Sequence, residues 1–139
     1  EALFEISAER VRQQPALARV ALEGVRVTWA DTDALPWRLR ARDGFIGADW
    51  RLLELRGDVR IEGLDPGGGT VTLDTERLTV MLDEKQASTR SRVTVAGDRG
   101  IVLAEGMTAD LEAQRFVLES DVRGRFDAPA DGPPEAVRP

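Results

Sequence analysis

The residues of this chain that could do chemistry are its carboxylates and hydroxyls. Among 139 residues there are 25 Asp and Glu, and neither His nor Cys. Two carboxylates flanking a sugar bond make a glycosidase, and Asp31/Asp33 and Asp83/Glu84 are the close pairs. Both lie in segments that read as turns, where acids are ordinary. Acidic loops also bind calcium, but only with ligands at a set spacing, which these clusters lack. The serines Ser7, Ser88, Ser91 and Ser120 have no histidine to activate them. Without His or Cys there is no thiol chemistry and no usual metal ligand. The glycines of Asp65-Pro-Gly-Gly-Gly69 could cradle a phosphate only with a following helix and a Lys-Ser/Thr pair; here a strand-like Thr70 to Thr75 follows. The expectation is a protein that is not an enzyme, with no cofactor and no metal.

Charge narrows the class further. The formal net charge is -6, and of 19 basic residues only Lys85 is a lysine. The arginines are scattered among acids rather than clustered, which argues against nucleic acid, because phosphate backbones require a basic face. No apolar run approaches the ~20 residues of a membrane-spanning helix. No signal peptide is present, and Glu1 leads almost at once into a strand pattern at Phe4. That start implies that an upstream segment has been removed. After Asp127 the chain is rich in proline (Pro129, Pro133, Pro134, Pro139) and poor in apolar residues. This divides it into one domain, 1–127, and a disordered tail, 128–139.

The elements that must position any site are strands. From Leu53 to Ile61 odd positions are apolar or Gly and even positions are charged, the period of two of a half-buried strand. The pattern recurs four times. Aligning Ala8, Ala41, Thr75 and Glu105, at spacings of 33, 34 and 30 residues, places Val25, Val59, Val93 and Val122 another 17 or 18 residues on. Such a repeat indicates stacked strand-turn-strand units that bury no face alone. Strands are expected near 3–8, 20–29, 37–42, 52–61, 71–75, 77–82, 92–96, 101–105 and 115–126. Asp83 to Arg92 reads as a wide polar turn, Ala109 to Arg115 as a strand end and turn, and Gly24 as a bulge.

Parity assigns an inner face. Phe4 and Ile6 belong to the first strand, Leu22 and Trp29 to the return strand, and Trp37, Leu39 and Phe45 to the next stretch. Leu53, Leu55 and Val59 follow, then Leu73, Leu78 and Val80, then Leu103 and Met107. Along the last strand Phe116, Leu118, Val122 and Phe126 face in, while Glu119, Asp121, Arg123 and Arg125 face out. Such a face is either an ordinary filled core, as in a structural or adhesive β-module, or a groove held open for acyl chains.

The pieces Trp37-Arg-Leu-Arg-Ala41, Leu55-Arg-Gly-Asp-Val59, Leu73-Asp-Thr-Glu-Arg-Leu78, Val93-Thr-Val95 and Glu105-Gly-Met-Thr-Ala109 follow one another as in a known family. In their order and spacing the sequence resembles LptC, within the wider LptC, LptA and LptD N-terminal domain family of lipopolysaccharide export, over roughly Phe4 to Phe126. The resemblance implies an all-β, open, twisted jelly roll of two facing antiparallel sheets, with lipid A acyl chains carried between them along the inner-face residues. It implies that lipopolysaccharide arrives from the inner-membrane LptB/LptF/LptG transporter at the N-terminal edge. It implies delivery to LptA at the C-terminal edge, where Gly106, Glu119, Asp121, Arg123 and Arg125 would serve partner binding. It further implies a periplasmic location, with an inner-membrane anchor helix that this chain lacks. A soluble, LptA-like bridge protein of the same family is the nearest alternative.

Overall fold

A computed structural model describes residues 3–30, 37–64, 69–113 and 115–126. Alternation of apolar and charged residues produces nine strands in this set: β1 (Leu3–Ser7), β2 (Arg10–Gln14), β3 (Arg19–Ala30), β4 (Trp37–Gly47), β5 (Leu52–Leu64), β6 (Thr70–Met81), β7 (Gln86–Gly97), β8 (Gly100–Asp110) and β9 (Arg115–Phe126). A single 3-10 turn, Pro15–Leu17, joins β2 to β3. Successive strands pair antiparallel in the order β1-β3-β4-β5-β6-β7-β8-β9, with β2 extending β1 along the side of β3. The four units are therefore hairpins, the first with its outer strand broken in two at Ala8 and Glu9.

The two facing sheets expected from the sequence are two halves of one hydrogen-bonded sheet, which does not close into a barrel. Each long strand crosses from one half to the other, and from β4 onward the pairing register slips in the middle, whereas β3 and β4 stay in register through Gly24, where a bulge was expected. Slips fall between Arg40 and Asp43, Arg56 and Val59, Thr75 and Thr79, Thr89 and Arg92, and Leu103 and Glu105. Side by side, these irregularities make a spine along which the sheet folds, because a bulge bends its strand. Gly24, Gly57 and Gly106 lie on the spine with φ of +63°, +86° and +94°, a region that glycine enters freely. The repeat anchors lie on the same line: Val25 is registered with Ala41, and Val59 with Thr75.

Several sequence expectations change for one reason. A bulge reverses which parity faces in, so a strand that continues looks like one that ends. In β6, Leu73 and Thr75 are buried before the slip and Leu78 and Val80 after it; the two short strands expected at 71–75 and 77–82 are one. Likewise β4 continues to Gly47 rather than stopping near 42, and β7 begins at Gln86, inside the expected wide turn. The stretch Arg10–Gln14, which lies between the strands expected at 3–8 and 20–29, is β2. The strand expected at 101–105 is β8 and runs on to Asp110, inside the stretch 109–115 expected to hold its end. The acid pair Asp31/Asp33, most of the loop from Asp65, and the tail 128–139 lie outside the described residues.

Folding along the spine brings both inner faces into one core. Leu53, Leu55, Leu78 and Val80 from one half meet Val59, Leu73 and Val93 from the other, all at 2 % exposure or less. The interrupted ladder leaves peptide groups that must find other partners. The buried Thr75 donates from Oγ1 to the carbonyl of Arg92 at 3.0 Å, and Oγ1 of the buried Thr89 accepts from the N–H of Ser91 at 3.0 Å. Thr75→Val, nearly isosteric, strands that carbonyl and should cost about 1–3 kcal/mol in urea unfolding. Thr79→Val, whose hydroxyl makes no hydrogen bond among the described residues, should stay within about 0.5 kcal/mol.

Candidate functional site

Between the halves lies an apolar seam that no backbone hydrogen bond crosses among the described residues. At its mouth, near the hairpin ends, Trp29, Trp37, Ile61 and Leu73 of one half face Met107, Ala109, Leu111 and Phe116 of the other around a small hollow of about 20 Å³. The aromatic side of this mouth is built by register. Phe4 is paired with Trp29, and Trp29 with Trp37; the Phe4 and Trp29 rings are 6.3 Å apart and tilted by 39°, a favourable aromatic geometry. Trp37 lies over Gly63, where an added Cβ would come within 2.5 Å of the indole. One buried polar atom stands out. Among the described residues only the Trp29 Nε1–H is a buried side-chain polar group without a partner, in a residue 3 % exposed.

Most of the inner-face residues expected from sequence meet here or in the core behind it. Leu22, Trp29, Leu53, Leu55, Val59, Leu73, Leu78, Val80 and Met107 are buried, and Phe4, Ile6, Trp37, Leu39, Phe116 and Leu118 pack against them half-buried. Two do not. Phe45 projects from the outer face, where the guanidiniums of Arg19 and Arg56 sit 3.9 Å and 4.8 Å from its ring centroid. Leu103 is 41 % exposed on the outer side of β8. In both strands the bulge reverses parity, so that Gly44 and Ile46 in β4, and Val102 and Ala104 in β8, are the ones turned inward. Ile61, which parity places on the apolar face of its strand, also lines the hollow, and parity alone missed Ala109 and Leu111. Their only sequence signal was apolar character beside the tracts already chosen.

The hollow has room for about one water, so the seam of this protein is closed by its own side chains rather than held open. The seam is unfinished at the end where β9 forms the edge: Val122 and Phe126 are 49 % and 60 % exposed, although Phe126 lies across Gly124 beside Val102, on the inward side. The backbone edge of β9 pairs only with β8. Of the residues expected at this edge, Arg123 and Arg125 are exposed on β9. Glu119 accepts a 2.8 Å hydrogen bond from Thr108. Asp121 is in a left-handed conformation at φ +51°. Gly106 is not at the edge: it is buried in β8, one strand in, and shapes the edge through its bulge.

An open antiparallel jelly roll with an apolar seam, whose edge strands pair on one side only among the described residues, belongs to the class of β-folds that can accept a further strand at an edge. The chain belongs to the LptC-related lipopolysaccharide-assembly family, whose model matches residues 2–127. That family comprises periplasmic transport proteins rather than enzymes. A crystal structure of LptH, described as the LptA-homologous periplasmic component of the lipopolysaccharide transport device of Pseudomonas aeruginosa, superposes with a TM-score of 0.66 over 91 % of this chain and 96 % of that one, at 8 % identity. That likeness is one of fold. No curated protein sequence matches the chain.

Because Gly63 makes room for the Trp37 indole, Gly63→Ala should push the ring toward the hollow. The expected result is altered near-ultraviolet circular dichroism and a melting temperature lower by several degrees, consistent with the roughly 1–3 kcal/mol of an overpacked site. Gly97→Ala, whose Cβ would have its nearest neighbour 4.0 Å away, should change neither.

Proposed function

We propose that this chain binds lipopolysaccharide in its seam, with lipid A acyl chains between the two halves of the sheet. It takes the lipid from the inner-membrane LptB/LptF/LptG transporter at the β1/β2 edge and passes it to LptA at the β9 edge. In this role it is held at the inner membrane, as the resemblance to LptC implies. The observation that carries the reading is the seam itself. It is apolar, no hydrogen bond crosses it among the described residues, and the buried N–H of Trp29, a residue that lines the hollow, lacks a partner among them. An acyl ester or hydroxyl oxygen would satisfy that donor, whose isolation is otherwise costly. Loading requires the halves to part.

The tightness of the seam favours a second reading, a β-module whose core is simply filled. The two differ in what the interior touches. A photo-crosslinking residue at Trp29 or Phe116 should capture lipopolysaccharide, and one at the outward Arg56 or Glu119 should not. Equal labelling at all four positions, or none at the first two, would leave the filled-core reading standing.

Transfer to LptA by strand addition depends on free N–H and C=O groups along β9. Proline removes such a donor. Asp121 is unsuitable for it, because its positive φ is closed to proline. Of Arg123 and Gly124, consecutive residues whose N–H groups point to opposite sides of the strand, the one directed away from β8 is the place. Proline there should abolish LptA capture with about 1 kcal/mol or less of lost stability, since no ladder bond is removed, and should leave lipid crosslinking at Trp29 intact. Arg123→Ala should do little. Full LptA capture by the folded proline variant would show that the interface is elsewhere.

A further inference from the structure

The outer face of the half that contains β1 carries arginines in direct register. Arg26 on β3 is opposite Arg40 on β4, and Arg40 is opposite Arg60 on β5. Arg38 is two residues along β4 from Arg40, opposite Thr28 and Glu62. Neighbouring strands are about 4.8 Å apart, and like charges directly opposite one another destabilise a sheet. Arg60 is relieved by Asp74, to which it donates two hydrogen bonds of 2.7 and 3.1 Å; these hold its guanidinium more firmly in the charged form. The nearby arginines are relieved too: Arg42 by Asp58 and Glu76, and Arg92 by Glu105. Arg26, Arg38 and Arg40 have no side-chain hydrogen bond or ion pair among the described residues. With 25 acids to 19 bases in the chain, scarcity of carboxylates is not the reason.

The row also lies in relief rather than on a flat sheet. A cleft of about 750 Å³ along the spine is lined by Arg26, Arg40 and Arg60, with Arg42 and Arg92 and the carboxylates of Glu9, Asp58, Asp74 and Glu76 further along it. A second hollow of about 210 Å³ is lined by the same three with Arg38 and Glu62. Two concavities thus share one row of guanidiniums. We propose that Arg26, Arg38 and Arg40 form a phosphate site that takes the headgroup of an anionic membrane lipid. Guanidiniums offer planar paired donors that match phosphate oxygens, and a bridging anion would cancel the repulsion between Arg26 and Arg40. Glu62 at one flank, Asp74 on Arg60, Asp58 and Glu76 on Arg42, and Glu9 at the other end of the cleft limit the site to these three cations. The row is on the opposite face of the sheet from the seam, so a lipid carried in the seam does not supply the phosphate. The hollows on either side have room for more than a bare ion, which favours a headgroup. Such a site would set which face of the protein rests on a membrane.

The test uses the full chain and sedimentation with vesicles of phosphatidylglycerol and phosphatidylcholine in equal parts, against vesicles of phosphatidylcholine alone. Wild type should prefer the anionic vesicles, and added salt should weaken that preference. The double variant Arg26→Ala/Arg40→Ala should lose about thirtyfold in affinity, from the usual worth of two arginines near an anionic surface. The charge-matched control Arg51→Ala/Arg99→Ala, in two exposed turns, should lose no more than about threefold. The melting temperature of the site variant should be unchanged or higher, since a like-charge contact is gone. Inorganic phosphate should displace the protein from vesicles only at high concentration. Three results would overturn the proposal: no preference for anionic vesicles, equal loss in the two double variants, or tight binding of inorganic phosphate without any vesicle binding, which would make it a site for the free anion.

Discussion

A β-sheet can fold onto itself only by breaking its own ladder, and every broken ladder bond in a buried place must be replaced. The whole molecule depends on that replacement. Along the spine, Gly57 and Asp58 take left-handed backbone conformations in succession, as Gly24, Gly106 and Asp121 do singly. Glycine does so without steric cost, and aspartate is one of the few other residues that tolerate it. Where the backbone gives way, hydroxyls step in: Thr75 for the carbonyl of Arg92, Thr89 for the N–H of Ser91, Ser120 for the carbonyl of Glu105 at 2.9 Å. Neighbouring strands bend side by side, so two inner faces come to lie opposite each other. Were the irregularities staggered, the halves would splay and there would be no common core.

This explains what could be read from the sequence and what could not. The repeat near 33 residues was legible because its anchors are the bend: Val25 beside Ala41 and Val59 beside Thr75 recur wherever a strand must turn. The alternation of β5 was legible because its inward residues, from Leu53 through Val59 to Ile61, keep one parity across its irregularity. Phe45 and Leu103 were misassigned because the reversal occurs in backbone geometry, which alternation does not encode. A trace was present all the same. In β4 and β6 the reversal is marked by two consecutive charged residues, Arg42-Asp43 and Glu76-Arg77, both exposed between buried neighbours. The family could be read from the order of several short pieces, each weak alone, because a meander of hairpins preserves order and spacing while its turns vary.

The seam and the hydrogen-bonded halves differ in kind, and the difference suits reversible loading in the proposed role. Each half is held by directional ladder bonds that would be expensive to break one by one in a dry interior. The seam between them is held by apolar contact alone, which does not depend on particular partners. Parting the halves exposes Leu, Val and Met surface, but an acyl chain sliding into the gap covers it again, and each methylene buried recovers about 0.8 kcal/mol. The net cost of exchanging side chain for acyl chain is therefore small, although either alone against water would be large. A donor such as the Trp29 N–H adds a directional preference to an otherwise slippery surface, since only a chain with an oxygen at the right depth satisfies it. Weak preference with low net cost is what a carrier requires, because a lipid held by many specific bonds would not leave for the next groove.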